Sequence, residues 1–300
     1  MAGKTYFLSG KPGRKKFSQP GGKLIPVWHE PQAPQSYRVL DCFDQTIRRS
    51  GRVLFETGGQ LVLVDRDGGV MSQSAARDGD FVTDLPAGPV RDALAFVPKL
   101  RCLLDAGRGV FRRRLLALLD SEQKTQARAV FRTLIPEHDS AAVTLATVQG
   151  LRGYDKARGL LEQRLTSQRN QAPAPFDRLY RAPDAYVAKP DIAITGDEPA
   201  FQTANDIISA YIAVARQNEP GILADLDTEF LHDYRIALRK VRSVLSLFKG
   251  VYSEPQTQAF KARFSDLMAP TGRMRDLDVY LMERGQYYDL LPKPLHDGLT

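Results

Sequence analysis

His232, Arg235, Arg239 and Arg242 recur at intervals of three and four residues in the stretch FLHDYRIALRKVRSVLSLFKG, residues 230–250. On a helix turning about 100° per residue, these four side chains fall within about 80° of one another. Leu231, Tyr234, Leu238, Val241, Leu245 and Phe248 occupy the adjoining arc, between about 160° and 260° from His232. A row of guanidinium groups beside a core-facing stripe suits the binding of phosphate oxygens in bidentate forks. The histidine adds a donor whose charge grows as pH falls. No Asp or Glu lies between Asp233 and Glu254, so little opposes the mutual repulsion of the row. The competing reading is a solvated face whose long side chains snorkel over the core. A second motif, GRMRDLDVYL at 272–281, puts Arg273 and Asp276 three residues apart. Asp276 either orients an arginine of the first motif or makes a surface ion pair with Arg273 or Arg275, worth under ~1 kcal/mol.

The elements that must carry these residues differ between the two halves of the chain. Residues 1 to about 150 contain the short apolar runs TYFLS, KLIPVW, SYRVLDCF, RVLFET and QLVLVDRDGG, separated by Gly, Pro or charged turns. Gly58-Gly59 and Asp67-Gly68-Gly69 are hairpin signals. GVFRRRLLALLDSEQKTQARAVFRTLI predicts two strands about a turn near 121–124, and DSAAVTLATVQGL a further strand. Arg112, Arg113 and Arg114 could help bind an anion, although strand alternation aims Arg113 away from its two neighbours. Asp65 and Asp67 are predicted to share a strand face, as exposed acids of a hairpin. Residues 153–169 turn helical, and the Pro/Ala-rich stretch 169–198 is expected to be an extended connector. From 199 the spacing is helical throughout. The first helix places Ile207, Ile208, Tyr211, Ile212 and Ala215 on one side and ends at Glu219-Pro220-Gly221. The second is capped by Asp227 or Thr228 and stops near Gly250. A third covers 256–288, interrupted near Pro270–Gly272.

The bulk numbers set limits. The 300 residues are 43% hydrophobic and 26% charged, enough apolar material for a core. A net charge of +7 favours polyanionic partners. Cys42 and Cys102 alone make no disulfide scaffold, which fits a reducing cytoplasm. No run approaches the ~18 apolar residues of a membrane span, so no membrane partner is expected.

The two motifs together, H-D-x-R-x-A-x-R-x-x-R followed by R-D-x-D-V, resemble the CHAD family, the conserved histidine α-helical domain. The resemblance covers 199–300 and implies a helical bundle that binds inorganic polyphosphate in the cytoplasm, in association with polyphosphate granules. It implies His232, Arg235, Arg239, Arg242 and Arg273 as ligands. Lys240 and Lys249 join them off the stripe, with Asp276 as an orienting residue. The family's domain is longer than these hundred residues. The resemblance therefore implies a truncated domain, whose open basic face another copy could complete as a homo-oligomer.

The first half, through SYRVLDCFDQTIRRSGRVLFETGGQLVLVDRDGG, LLALLDSEQKTQARAVF and LRGYDKARGLLEQRL, resembles the CYTH family of triphosphate tunnels. The catalytic members of that family carry an E-x-E-x-K strand whose carboxylates hold a metal. KTYFLSGKPGRKK holds no glutamate, so no catalytic residue, metal or cofactor is expected. The resulting expectation is an α+β chain. A degenerate CYTH-like antiparallel β barrel or tunnel spans 1–168, a connector 169–198 and a CHAD helical domain 199–300. Its function is non-catalytic polyphosphate binding, with the first domain as scaffold or second anion site. The alternatives are a metal-dependent triphosphatase in the first half, or nucleic-acid binding by the basic helix. The helix lacks the aromatic platforms that nucleic acid favours.

Overall fold

The computed structural model describes residues 5–17, 23–139, 141–167, 176–181 and 186–299. They divide into two compact units, Met1–Ala185 and Tyr186–Thr300.

The first unit is one antiparallel sheet. Its strands are β1 (Thr5–Ser9), β2 (Ile25–Trp28), β3 (Gln35–Asp41), β4 (Arg52–Thr57), β5 (Gln60–Asp65), β6 (Val70–Ser74), β7 (Leu104–Leu119), β8 (Thr125–Pro136) and β9 (Val143–Gly150). The order is β1-β9-β8-β7-β3-β4-β5-β6, with β2 added to β7. The glycines at 58–59 and the turn 66–69 close the predicted hairpins, and 120–124 joins the two long strands. Gly58, Gly59 and Gly68 all have positive φ, the conformation these turns demand.

Alternation sorts the apolar residues onto two faces. Phe7, Val39, Phe55, Val64, Phe111, Leu134 and Leu145 form one cluster, with members from both β1 and β5. Strands that far apart in the order can share a cluster only if the sheet curls around it. The opposite face of β1, β7, β8 and β9 packs Leu8, Leu116, Phe131 and Val148 against Ala157, Leu161 and Leu165 of helix α3 (Asp155–Ser167). Of the helix predicted over 153–169, residues 168 and 169 lie outside the described residues. The opposite face of β3–β5 is covered by α1 (Thr46–Arg49), α2 (Pro89–Ala93) and the irregular chain around them.

Residues 176–181 fall within the stretch expected to be an extended connector, yet they pack into the curl. Phe176, Leu179 and Tyr180 are buried there. Tyr180 donates its hydroxyl proton to Asp41 at 2.8 Å, and the Arg48 guanidinium donates to Asp177 at 2.6 Å. A Cβ at Gly107 would collide with the Leu179 carbonyl, so the close approach requires glycine. Residues 168–175 and 182–185 of the expected connector lie outside the described residues. Asp65 ends β5 and accepts from the Gly69 amide at 2.7 Å, while Asp67 lies in the turn, so the two acids do not share a strand face.

The second unit holds three helices, α4 (Ala200–Leu223), α5 (Thr228–Leu247) and α6 (Glu254–Leu290). Three predicted boundaries move. Pro220 lies inside α4, and the helix closes only before Asp225, which has positive φ. Gly221 serves packing rather than termination, because a Cβ there would overlap the buried Phe230 ring. Pro270 likewise lies inside a continuous α6 of 37 residues. The helix α5 stops at Leu247, one turn short of Gly250, and Asp227 is its N-cap, accepting from the amides of Glu229 at 3.0 Å and Phe230 at 3.3 Å.

On α4, Ala215 is buried, whereas Ile207, Ile208, Tyr211 and Ile212 are half-buried. Its fully buried positions are Thr203, Ala204, Val214, Ala215, Asn218 and Gly221. Tyr186, also expected in the connector, is buried in this unit. Its hydroxyl donates to Asp233 at 3.1 Å and accepts from Asn218 at 2.9 Å.

Candidate functional site

Burial on α5 follows most of the predicted arc, with Tyr234 and Phe248 only half-buried. Leu231, Leu238, Val241 and Leu245 are buried, with Phe230, Ala237 and Val244 extending the face. The basic stripe borders that face, so its members grade from half-buried to exposed. His232, Arg235 and Arg242 are half-buried, and Arg239 and Lys240 are exposed. Lys249 lies beyond the helix end and is exposed. Arg273 is exposed on α6.

Among the described residues, none of these seven side chains pairs with a carboxylate. The Arg242 Nε is buried and has no hydrogen-bond partner among the described residues. A buried guanidinium N–H without an acceptor costs ~1–3 kcal/mol.

Two expected roles do not match the geometry. Asp276 is exposed and engages neither an α5 arginine nor Arg273 or Arg275 among the described residues. Arg235 is already engaged: its Nη1 donates to the Met268 carbonyl at 3.2 Å and to Thr271 Oγ1 at 2.7 Å.

The first unit carries a second cationic patch that sequence reading found only in part. Arg113 stands directly across from Arg132, and the ladder continues through Leu145 to Phe7. Register partners share a face, so both arginines lie on the curled inner face, with Arg128 four residues back from Arg132. Burial holds the Arg132 guanidinium below the usual arginine range, and the Arg113 charge adds to the effect. Arg132 donates to Thr147 Oγ1 at 3.0 Å, and Thr147 and Thr5 share a hydrogen bond at 3.1 Å. Arg112 and Arg114 take the other face, as alternation predicts. Arg114 sits 5.1 Å over the Trp28 ring and donates to the His29 carbonyl at 3.3 Å. The same-face spacing of Arg128 and Arg132 in TQARAVFRTLIP was the available signal for the rest of the patch.

β1 offers Thr5 and Phe7 to the inner face, and Phe7 is buried in the core cluster. Among the described residues, no group of three or more His, Cys, Asp or Glu side chains could hold an ion. No helix among them is long and apolar enough to cross a membrane.

Comparison with solved structures finds low-identity likenesses over the first part of the chain. A candidate adenylate cyclase from Vibrio parahaemolyticus is 8% identical with a TM-score of 0.32, covering 60% of this chain and 98% of that one. Another from Bacillus halodurans is 11% identical with a TM-score of 0.34, covering 59% and 98%. Such scores carry no argument, and the fold of the first unit rests on its own ladders. Among curated proteins no sequence matches. The family model of the CHAD domain matches residues 206–300. Over that stretch the two basic motifs and the three packed helices belong to a CHAD domain.

Proposed function

We propose that the helical unit binds inorganic polyphosphate without catalysis, through Arg239, Arg242, Arg273 and their neighbours His232, Lys240 and Lys249. The observation that carries this reading is the absence, among the described residues, of any carboxylate partner for these cations, together with the buried unpaired Nε of Arg242. Such a surface reads charge density. Its affinity should be multivalent and should fall steeply with salt as counterions are released. The Arg113–Arg128–Arg132 face of the first unit is a second anion site on the same physical grounds.

That second patch also supports the alternative of a triphosphatase in the first unit, since three arginines suit a short phosphate chain. The donor set on β1 opposes it. Nucleic acid is a weaker fit, because no aromatic ring interleaves with the α5 arginines.

One set of measurements separates these readings. Long-chain polyphosphate should displace bound single-stranded DNA from the full chain, and DNA should fail to displace polyphosphate at equal phosphate concentration. Mg²⁺ should release no phosphate from tripolyphosphate. Preferential displacement by DNA would overturn the binding assignment, and metal-dependent release would establish the enzyme.

A further inference from the structure

α6 is 37 residues long, about 56 Å at 1.5 Å per residue, yet Met268 is its one fully buried residue among those described. Apolar burial therefore does little to fix its position beside α5. Pro270 weakens it further, since it has no N–H to give the Asp266 carbonyl. Two arginines compensate. Arg235 of α5 reaches the turn containing Pro270, donating to the Met268 carbonyl and to Thr271 Oγ1. Thr271 Oγ1 also donates to that carbonyl at 2.8 Å, so the three groups close a small network. In the opposite direction, Arg275 of α6 donates to the Thr228 carbonyl at the start of α5, at 3.4 Å. Residues 235 and 228 descend α5 as 271 and 275 ascend α6, which places the two ties along an antiparallel helix pair. Arg273, a cation without a carboxylate partner among the described residues, lies between them in sequence and is exposed, about 160–200° around α6 from Thr271 and Arg275.

We propose that Arg235 and Arg275 are positioning residues that set the register of α6, and with it the cations α6 carries, on α5, rather than phosphate ligands. This inference rests on the polyphosphate reading for its functional consequence but not for its structural content. A guanidinium that touches no phosphate contributes nothing to counterion release. Its loss should weaken binding through geometry alone.

The test compares Arg235→Gln, Arg235→Lys and Arg239→Gln in the full chain. It uses titration with long-chain polyphosphate at several salt concentrations and hydrogen exchange of the α6 amides. Arg239→Gln removes a ligand, so the log–log salt slope should shrink by roughly 0.7–0.9 with α6 exchange unchanged. Arg235→Gln should speed exchange at 268–274 by roughly tenfold, because a charged donor is lost from a weak turn, and Arg235→Lys, which keeps a charged donor in a different geometry, should speed it less. Arg235→Gln should lower affinity several-fold while leaving the salt slope intact. A slope reduced as in Arg239→Gln would make Arg235 a ligand and overturn the proposal. Unchanged exchange in both Arg235 variants would overturn it as well. If the unmodified chain fails to bind polyphosphate, the binding reading falls, and the exchange comparison alone still decides whether Arg235 is a tie.

Discussion

At the scale of single residues, unpaired and over-paired polar groups separate function from support. Arg242 has a buried Nε with no acceptor among the described residues, an unmet donor that costs the fold stability. Arg242→Met should therefore raise the stability of the helical unit by about 1 kcal/mol while weakening polyphosphate binding. Thermal melts and titrations of the same variant check the opposite signs, and a loss of both would make Arg242 structural.

Asp41 is the contrary case. It is fully buried and accepts from the amides of Cys42, Ile47 and Arg48 and from the Tyr180 hydroxyl. Burial pushes its carboxyl up to about 6 from 3.8, against the pull of those donors. A folded-state value above the unfolded one means its contribution is fully present below about pH 3.8. That contribution is lost as pH rises through about 6, and it amounts to about 3 kcal/mol at most. Asp41→Asn should abolish that part of the pH dependence in denaturant titrations at pH 4 and pH 7. Identical profiles for the two proteins would refute it. The α5 stripe was legible from residue types and spacing alone. The Arg235 tie was not, because its acceptors lie 33 and 36 residues away, on a helix whose placement no local pattern encodes.

At the scale of elements, the sequence named nearly every strand and helix but misjudged where helices stop. Period-2 and period-3.6 patterns are local, so β7, β8, β9 and α5 could be read directly. Proline and glycine carry several meanings, and tertiary packing chooses among them. The Pro220-Gly221 pair looked like a terminator. Instead, Pro220 is exposed inside α4 and Gly221 admits the Phe230 ring. Neighbouring substitutions should then act in opposite directions. Pro220→Ala should stabilise the unit, by less than the ~3 kcal/mol cost of a mid-helix proline. Gly221→Ala should destabilise it by about 1–3 kcal/mol through overpacking. Urea midpoints of the two variants test this, and a stabilising Gly221→Ala would contradict the packing account. The connector was misread for a similar reason. Pro and Ala richness says nothing about whether Phe176, Leu179 and Tyr180 will find a curled apolar face to fill.

At the scale of the whole molecule, the charge of +7 is a net sum that hides its distribution. In the first unit several cations are paired internally, as in Arg38 and Arg77 on Glu56 and Arg48 on Asp177. Arg113, Arg128 and Arg132 share the inner sheet face. In the helical unit the described cations of the stripe have no carboxylate partners. Composition could signal an excess of cations but not which ones would remain unpaired, since pairing depends on chain-distant neighbours. If the stripe is the principal anion site, Arg113→Glu with Arg132→Glu should lower polyphosphate affinity far less than reversal on α5. Equal losses in the two double variants would give the sheet face equal weight. The most direct test of the central claim is a calorimetric titration of the full chain with defined-length polyphosphate, repeated on Arg239→Glu with Arg242→Glu. The account predicts a loss of about a hundredfold or more in affinity, at about 1.4 kcal/mol per tenfold, with the helical circular dichroism unchanged. Undiminished binding by a fully helical double variant would contradict it.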